Sequence, residues 1–187
     1  MLFRSNYLKY VPSFHALRDR APSHISLCRH SNSISLSEVL VHLKSRAQGV
    51  RDVSRETLYQ IVGEMGPKYI EYVAREMEGM LNRGFMLHVF GYTLHGLLVH
   101  ILPTAVAGDL DHCLGLLLDI FMADAVGQTA SQKEINKIAA KSKETKSVGH
   151  SFHAFEILAS LCSSAALPTL LYPVITMLVC SSPLVFF

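Results

Sequence analysis

One apolar stretch, from Arg83 to Leu102 before Pro103, organises the hydrophobic pattern of this chain. Its apolar residues fall on almost every direction of a helical wheel, whereas a surface helix carries them on one side only. The stretch therefore predicts an inner helix that neighbouring elements cover on most sides. The preceding segment, Tyr69 to Leu81, places apolar residues at helical spacing and charged residues elsewhere, which predicts an amphipathic outer helix. An outer helix followed by an inner one is the unit of an α-solenoid.

A second copy of this unit lies upstream, because a shift of the sequence by 36 residues aligns similar side chains. The aligned pairs are Val53 with Val89, Thr57-Leu58 with Thr93-Leu94, Ile61-Val62 with Leu97-Leu98, Met65 with Ile101 and Pro67 with Pro103. A period of about 35 to 45 residues with two helices per period is typical of HEAT-type repeats. We therefore predict an all-α, HEAT/armadillo-like α-solenoid of helical hairpins, with about seven or eight helices.

Capping and helix-breaking residues predict where the helices begin and end. The motif Val50-Arg51-Asp52-Val53 is similar to the second helix of a HEAT repeat, where the Asp can cap and the Arg can reach the next repeat. A capping box, Ser35-x-x-Glu38, is expected to open a helix that runs to about Ala47, and Gln48-Gly49 forms the turn after it. The next helix is expected from Asp52 to Met65, closed by Gly66-Pro67, with a later turn at Asn82-Arg83-Gly84. Asp109 is the expected N-cap of a helix through Phe121, and an apolar helix is expected from Phe152 onward.

A second capping box, Ser131-x-x-Glu134, opens a helix rich in charge. Its lysines recur on several sides, and they are Lys133, Lys137, Lys141, Lys143 and Lys146. Such a run usually forms a solvated face that keeps a protein soluble. The sharper alternative is a polyanion-contacting face, which would bind the phosphate backbone because no aromatic residues are interleaved to stack on bases.

The two ends of the chain differ from the repeats in composition. Residues 1–34 are basic and rich in serine, which predicts a disordered lead-in, with a mitochondrial transit peptide or a wrongly joined first exon as alternatives. Residues 35–160 are the predicted HEAT-like repeats. Residues 161–187 form an uncharged apolar segment, which is either a hairpin of buried helices or a membrane anchor. Its three prolines and its lack of nearby basic residues favour the buried hairpin.

Composition allows a sizeable core but indicates no particular ligand. Half of the 187 residues are hydrophobic and 17% are charged, so global disorder is not expected. A net charge of +2 is too small to predict nucleic-acid binding by itself. The four cysteines lie far apart without a Cys-x-x-Cys motif, which indicates reduced thiols in an intracellular protein.

His88 and His95 are the first candidates for chemistry, since seven residues place them on one helix face. They are nevertheless separated by roughly 10 Å along the helix axis, so one metal ion cannot bind both. We expect each to be a structural histidine bonded to a carbonyl or hydroxyl group. A looser group contains Asp109, Asp111, His112 and Asp119, without a partner of fixed geometry. The sequence has no catalytic motif, and we predict no enzyme activity, cofactor, metal site or small-molecule substrate.

Several blocks in order resemble one family. They are Leu81-x-Arg83-Gly84-Phe85-x-x-His88-Val89-x-x-Tyr92-Thr93-x-His95-x-Leu97-Leu98, then Gly108-Asp109-Leu110-Asp111-x-Cys113-Leu114, then Phe152-x-x-Phe155-Glu156-Ile157-Leu158-Ala159. Together they resemble the large HEAT-repeat scaffold family called small-subunit processome component 20, or DRIM (down-regulated in metastasis). The resemblance runs from about Leu40 to Ala159. Because proteins of this family are much longer, the resemblance implies that this chain is a short internal fragment or a truncated paralogue.

The resemblance implies a non-enzymatic scaffold of the nucleolar small-subunit processome that acts in pre-ribosomal RNA processing. Its implied partners are processome proteins and pre-ribosomal RNA or small nucleolar RNA. The family-motif residues, with an implied structural role, are Arg83, Gly84, His88, Thr93, His95, Asp109 and Asp111. The alternative from another class is a membrane- or organelle-associated helical protein, with a transit-like N-terminus and an apolar C-terminal anchor.

Overall fold

The computed structural model describes residues 36–125, 143–146 and 149–181, and the regular elements within these ranges are helices. The predicted all-α fold is therefore confirmed. The helices are α1 Leu36–His42, α2 Gln48–Met65, α3 Ile70–Met80, α4 Met86–Ile101, α5 Leu114–Ala125, α6 Lys143–Lys146, α7 His150–Leu161 and α8 Leu167–Ser181. Short 3₁₀ turns, Pro67–Tyr69 and Asp111–Cys113, lead into α3 and α5. The basic lead-in, the second capping box and Lys133, Lys137 and Lys141 lie outside the described residues.

Helix α4 is the centre of the packing and corresponds to the predicted inner helix. It contacts α2, α3, α5, α6 and α7. Its buried residues lie on several sides, as the apolar pattern predicted, and they include Val89, Phe90, Leu94, Leu97, Leu98 and Ile101. Solvent reaches the helix near its C-terminal end, where Val99 is 42% exposed.

Helix α3 is the outer helix that the amphipathic pattern predicted. Its buried side consists of Ile70, Val73, Ala74 and Met77. Arg75 and Glu78 point to solvent, and Arg75 pairs with Glu71 one turn earlier on the outer surface. Such an exposed ion pair contributes little stability, so apolar burial holds α3 against its neighbours.

The repeat relation between α2 and α4 is visible in their packing. Leu58 and Leu94, which the 36-residue shift aligns, are both fully buried, as are Val62 and Leu98. Helix α2 ends at Met65 and is followed by Gly66, whose positive φ of 88° suits glycine and whose N–H donates to the carbonyl of Val62. Two copies of a helical hairpin therefore stack through equivalent apolar positions.

Three expected boundaries are wrong. Helix α1 ends at His42 rather than near Ala47, and α2 already begins at Gln48, so the turn lies between them at residues 43–47 instead of at Gln48-Gly49. Asp109 is not a helix cap, since its Oδ2 accepts a hydrogen bond of 2.9 Å from the N–H of Val106. The α-helix expected directly after it begins later, at Leu114, because a 3₁₀ turn intervenes.

The C-terminal helices α7 and α8 form a hairpin that is only partly buried. Helix α7 buries Ile157 and Leu158 as expected, but Phe152 at its start is 59% exposed. Helix α8 buries Leu170 and leaves several large apolar side chains at least partly open to solvent, among them Leu171, Tyr172 and Ile175. Within the described ranges, no helix combines the length and apolar character that a bilayer crossing requires.

Substitution Leu94→Ala tests the central role of α4. Leu94 is fully buried, and removing its side-chain carbons leaves a cavity that should lower the free energy of unfolding by about 2 to 5 kcal/mol. Urea denaturation followed by circular dichroism measures this change. The control is Val99→Ala on the exposed side of the same helix, and equal losses for both variants would contradict the packing described.

Candidate functional site

Two arginines lie on the buried side of α2, where an apolar residue would be expected. Arg51 is 2% exposed and Arg55 is 3% exposed. They are four residues apart and therefore neighbours on one face, in line with the buried Leu58 and Val62. Arginine is seldom fully buried unless its guanidinium is paired, so each needs a partner inside the fold.

The partner of both arginines is Glu144, on the short helix α6. Its side chain is fully buried. Arg51 binds it in a bidentate manner, with Nε 2.8 Å from Oε1 and Nη2 3.0 Å from Oε2. Arg55 also donates from Nη2 to Oε1. One carboxylate thus joins two guanidinium groups that precede it by about ninety residues in sequence.

The remaining donors of the arginines bind the surrounding elements. Arg51 Nη1 donates to the carbonyls of Ser45 at 2.8 Å and Arg46 at 3.1 Å, which closes the turn between α1 and α2. Arg55 Nε donates to Thr93 Oγ1 at 3.1 Å, which joins α2 to α4. The arginine that hydrogen-bonds to the next repeat is therefore Arg55 and not Arg51 of the motif.

Aromatic rings cover the same guanidinium groups. The Cζ of Arg51 is 5.9 Å from the ring centre of Phe85, and the Cζ of Arg55 is 5.0 Å from that of Tyr92. These distances allow attraction between the cation and the negative face of the ring. The network of Arg51, Arg55 and Glu144, which we call the arginine cluster, thereby connects α2, α4, α6 and the turn before α2.

A partly exposed pair lies on the outside of the arginine cluster. Asp52 binds Arg55 Nη1 and also Lys143, whose Nζ is 2.7 Å from Asp52 Oδ1. The HEAT-like motif had suggested that Asp52 caps a helix. This prediction is wrong, because α2 begins four residues before Asp52. The side chains of Asp52 and Lys143 are 37% and 43% exposed, so water and salt weaken this outer pair.

Burial sets the electrostatics of the cluster. It lowers the pKa of Arg51 and of Arg55, and in both cases the charge of Asp52 opposes the shift. Guanidinium groups nevertheless stay protonated at neutral pH. They donate hydrogen bonds and accept none, so they can hold an anion but cannot act as nucleophile or base. The cluster is suited to fixing a carboxylate in place.

A second polar cluster lies between α4, α5 and α7, around Asp124. His150 Nε2 is 2.7 Å from Asp124 Oδ2, and Ser151 Oγ donates to the same oxygen. His88 Nδ1 is farther away, 3.9 Å from Oδ1. A Cβ at Gly91 would be only 3.0 Å from the carboxylate carbon of Asp124, so the carboxylate would have to shift by a few tenths of an ångström.

His88 and His95 therefore have partners other than those expected. Neither is seen bonded to a carbonyl or hydroxyl group within the described residues: His88 faces Asp124, and His95 Nε2 is 2.8 Å from His153 Nδ1. Burial lowers the pKa of His88, and burial together with His153 and His150 lowers the pKa of His95 to about 4. Both imidazoles are thus held neutral.

The Asp124 carboxylate is kept ionised beside four histidines, His88, His95, His150 and His153, which we call the histidine group. Burial raises its pKa, but hydrogen bonds from His150 and Ser151 outweigh that effect and leave the pKa below its usual value. No group of three or more histidine, cysteine or acidic side chains in the described part of the chain is arranged to hold a metal ion.

The other residues singled out from the sequence are structural or untested. Arg83 is exposed in the turn before α4, and Gly84 in that turn has a φ of 55°. Asp111 Oδ1 accepts a hydrogen bond of 3.1 Å from the N–H of Ser163, and hydrogen bonding to the side chain and then to the N–H of Ser163 lowers the Asp111 pKa. Among the five lysines, Lys143 pairs with Asp52, and the side chain of Lys146 lies outside the described set. The polyanion-contacting face stays a prediction.

Sequence reasoning missed both clusters, although one signal was present. Arg51 and Arg55 occupy the same face of α2 as its apolar residues, and charges on an apolar face indicate buried pairing. Glu144 gave no such signal, because it stands in a lysine-rich run that resembles a solvated surface.

Stacked helical hairpins with inward apolar faces, joined by polar clusters that position side chains, define a repeat protein of the α-solenoid class. Comparison with protein families matches residues 26–183 to the U3 small nucleolar RNA-associated protein 20 domain. The chain belongs to this family, which confirms the resemblance seen in the motifs.

Two yeast relatives agree with the family match. The U3 small nucleolar RNA-associated protein 20 of Schizosaccharomyces pombe is 36% identical over 132 residues, which are 71% of this chain and 5% of that protein. The protein of the same name from Saccharomyces cerevisiae is 34% identical over 139 residues, 74% of this chain and 6% of that protein. The chain thus spans only a small fraction of the length of the curated relatives it matches.

Substitution Glu144→Gln tests the arginine cluster. It removes the negative charge that Arg51 and Arg55 share and leaves two buried guanidinium groups with a weaker acceptor. Loss of one partner of a buried ion pair costs about 3 to 5 kcal/mol, so the midpoint of urea unfolding should fall strongly. The matched control is Glu156→Gln, an exposed glutamate of α7. A change no larger than that of the control would show that Glu144 is not a buried partner.

Acidification tests the histidine group. The pKa of His95 is about 4 in the folded chain and near 6.5 in the unfolded chain, so the unfolded chain binds more protons between these values. The free energy of unfolding should therefore fall as the pH decreases from 6.5 to 4, and His88 contributes with the same sign. His95→Gln should flatten this dependence, whereas His112→Gln, at an exposed site, should not. Equal pH profiles for both variants would contradict the assignment.

Proposed function

We propose that this chain acts as a non-enzymatic scaffold segment of the small-subunit processome, in pre-ribosomal RNA processing and small-subunit biogenesis. The observation that carries this proposal is the family match over residues 26–183, in a chain built of stacked helical hairpins. The relatives are named for association with U3 small nucleolar RNA, and their names describe association rather than a reaction. The corresponding location is the nucleolus.

The arrangement of the described residues supports a positioning role. A solenoid presents extended helical faces, on which several partners can bind side by side. The arginine cluster fastens the charged segment at Lys143–Lys146 against α2 and α4, so its position relative to the hairpins is defined.

The proposed partners are processome proteins and pre-ribosomal RNA or small nucleolar RNA. The lysines at positions 133, 137, 141, 143 and 146 would contact the phosphate backbone of such an RNA. In this proposal the chain needs neither a cofactor nor a small-molecule substrate.

Gradient sedimentation tests the proposed function. A tagged full chain, expressed in cells, should sediment with pre-ribosomal particles in a sucrose gradient and co-precipitate U3 small nucleolar RNA. Leu98→Asp places a charge in the core of α4 and should move the chain to the top of the gradient, whereas Val99→Ser on the exposed side should not. A parent chain found only at the top of the gradient would refute the proposal.

A further inference from the structure

Two loops lie side by side at one end of the hairpins. The turn before α2 covers residues 43–47, and the turn before α4 covers residues 81–85. Arg51 is the link between them, because its Nη1 donates to the carbonyls of Ser45 and Arg46 while its Cζ lies 5.9 Å from the ring of Phe85. The buried guanidinium therefore holds the two loops at a fixed separation.

These loops carry three exposed cations, Lys44, Arg46 and Arg83, which we call the loop edge. Among the described residues, none of the three forms an ion pair. The arginine cluster directly beneath them and the outer pair contain three cations against two carboxylates, Asp52 and Glu144. The local field therefore adds to the positive charge of the loop edge instead of neutralising it.

Two helices also begin at the loop edge. Helix α2 has 18 residues and α4 has 16, and in the part of the chain that the structure describes no side chain caps either N-terminus. The N-terminal end of a helix carries about half a positive charge from aligned peptide dipoles. Both helix ends thus favour an anion on the side of the molecule where the loop edge lies.

The arrangement of these charges suits a polymer more than a small anion. Lys44 and Arg46 stand on one loop and Arg83 stands on the other, all three at exposed positions, so the charges are spread over two loops and do not line a closed pocket. A nucleic acid presents phosphates at regular intervals, and cations along an edge can bind successive phosphates without reading the bases. We propose that the loop edge binds the phosphate backbone of RNA, independently of its sequence. The choice of RNA as the polyanion rests on the proposed function.

A charge-matched pair of variants tests this proposal in the full chain. Arg46→Glu with Arg83→Glu reverses two charges at the loop edge, and Lys68→Glu with Arg75→Glu reverses two exposed charges on the 3₁₀ turn and outer face of α3. The net charge changes by the same amount in both variants, so any difference between their RNA affinities is due to where the reversed charges lie. Circular dichroism confirms that each variant keeps its helices. The probe is a fluorescently labelled 20-nucleotide single-stranded RNA, and its anisotropy is measured at several salt concentrations.

The loop-edge variant should bind the RNA about tenfold more weakly, and the slope of log affinity against log salt concentration should fall by about 1 to 1.5, as expected for two lost phosphate contacts. A second RNA of unrelated sequence should show the same loss. Equal weakening of both variants, or no weakening of the loop-edge variant, would overturn the proposal. So would selective loss of binding to a poly-glutamate peptide with RNA affinity unchanged, since the partner would then be an acidic protein.

Sedimentation of the same variants separates the two proposals. If the loop-edge variant binds RNA like the parent chain while the parent enters pre-ribosomal particles, the loop edge is refuted and the proposed function stands. If RNA binding depends on the loop edge but the parent chain never enters such particles, the proposed function is refuted and the RNA-binding edge remains.

Discussion

The burial of two guanidinium groups against a single carboxylate is the constraint on which this arrangement of helices depends. Arg51 and Arg55 lie inside the fold, where an unpaired charge is very costly. Their own hairpins supply two loop carbonyls and the hydroxyl of Thr93, but the carboxylate that neutralises both is Glu144. The first repeats can therefore reach this packing only when the segment that carries Glu144 folds back onto them. A charge requirement thereby determines a long-range contact that apolar packing alone would not specify.

Helix α4 connects this cluster to the second one. Thr93 accepts a hydrogen bond from Arg55 of α2, while the positions 88, 91 and 95 follow one another at three- and four-residue spacing along the side that meets the histidine group. Gly91 lets the carboxylate of Asp124 approach closely, because a Cβ there would force it to shift by a few tenths of an ångström. Thus a helix that is apolar on almost every side in sequence is also held by polar contacts on two sides, which restricts its rotation and its register.

The sequence predicted those parts of the fold that depend on local pattern. The inner helix α4, the outer helix α3 and the repeat relation of Leu58 with Leu94 follow from residues close together in the chain, and they are confirmed. The start of α2 was wrong because it depends on a distant contact: Arg51, held by Glu144, binds the carbonyls of the preceding turn, so the helix can begin at Gln48. The polar clusters could not be predicted for the same reason, since no local pattern pairs Arg51 with Glu144.

Neighbouring residues on α6 show why a charged run cannot be interpreted as one surface. Lys143 is partly exposed beside Asp52, whereas Glu144 is fully buried between two arginines. A buried ion pair adds little net stability over an apolar contact, because desolvation offsets most of the attraction. The ion pair does, however, disfavour every placement of the α6 segment in which a residue other than Glu144 faces the guanidinium groups. Lys143 in that position, for example, would be a third buried cation. The cluster therefore determines which turn of the segment docks and where Lys143 stands, and such positioning is what the proposed scaffold would require.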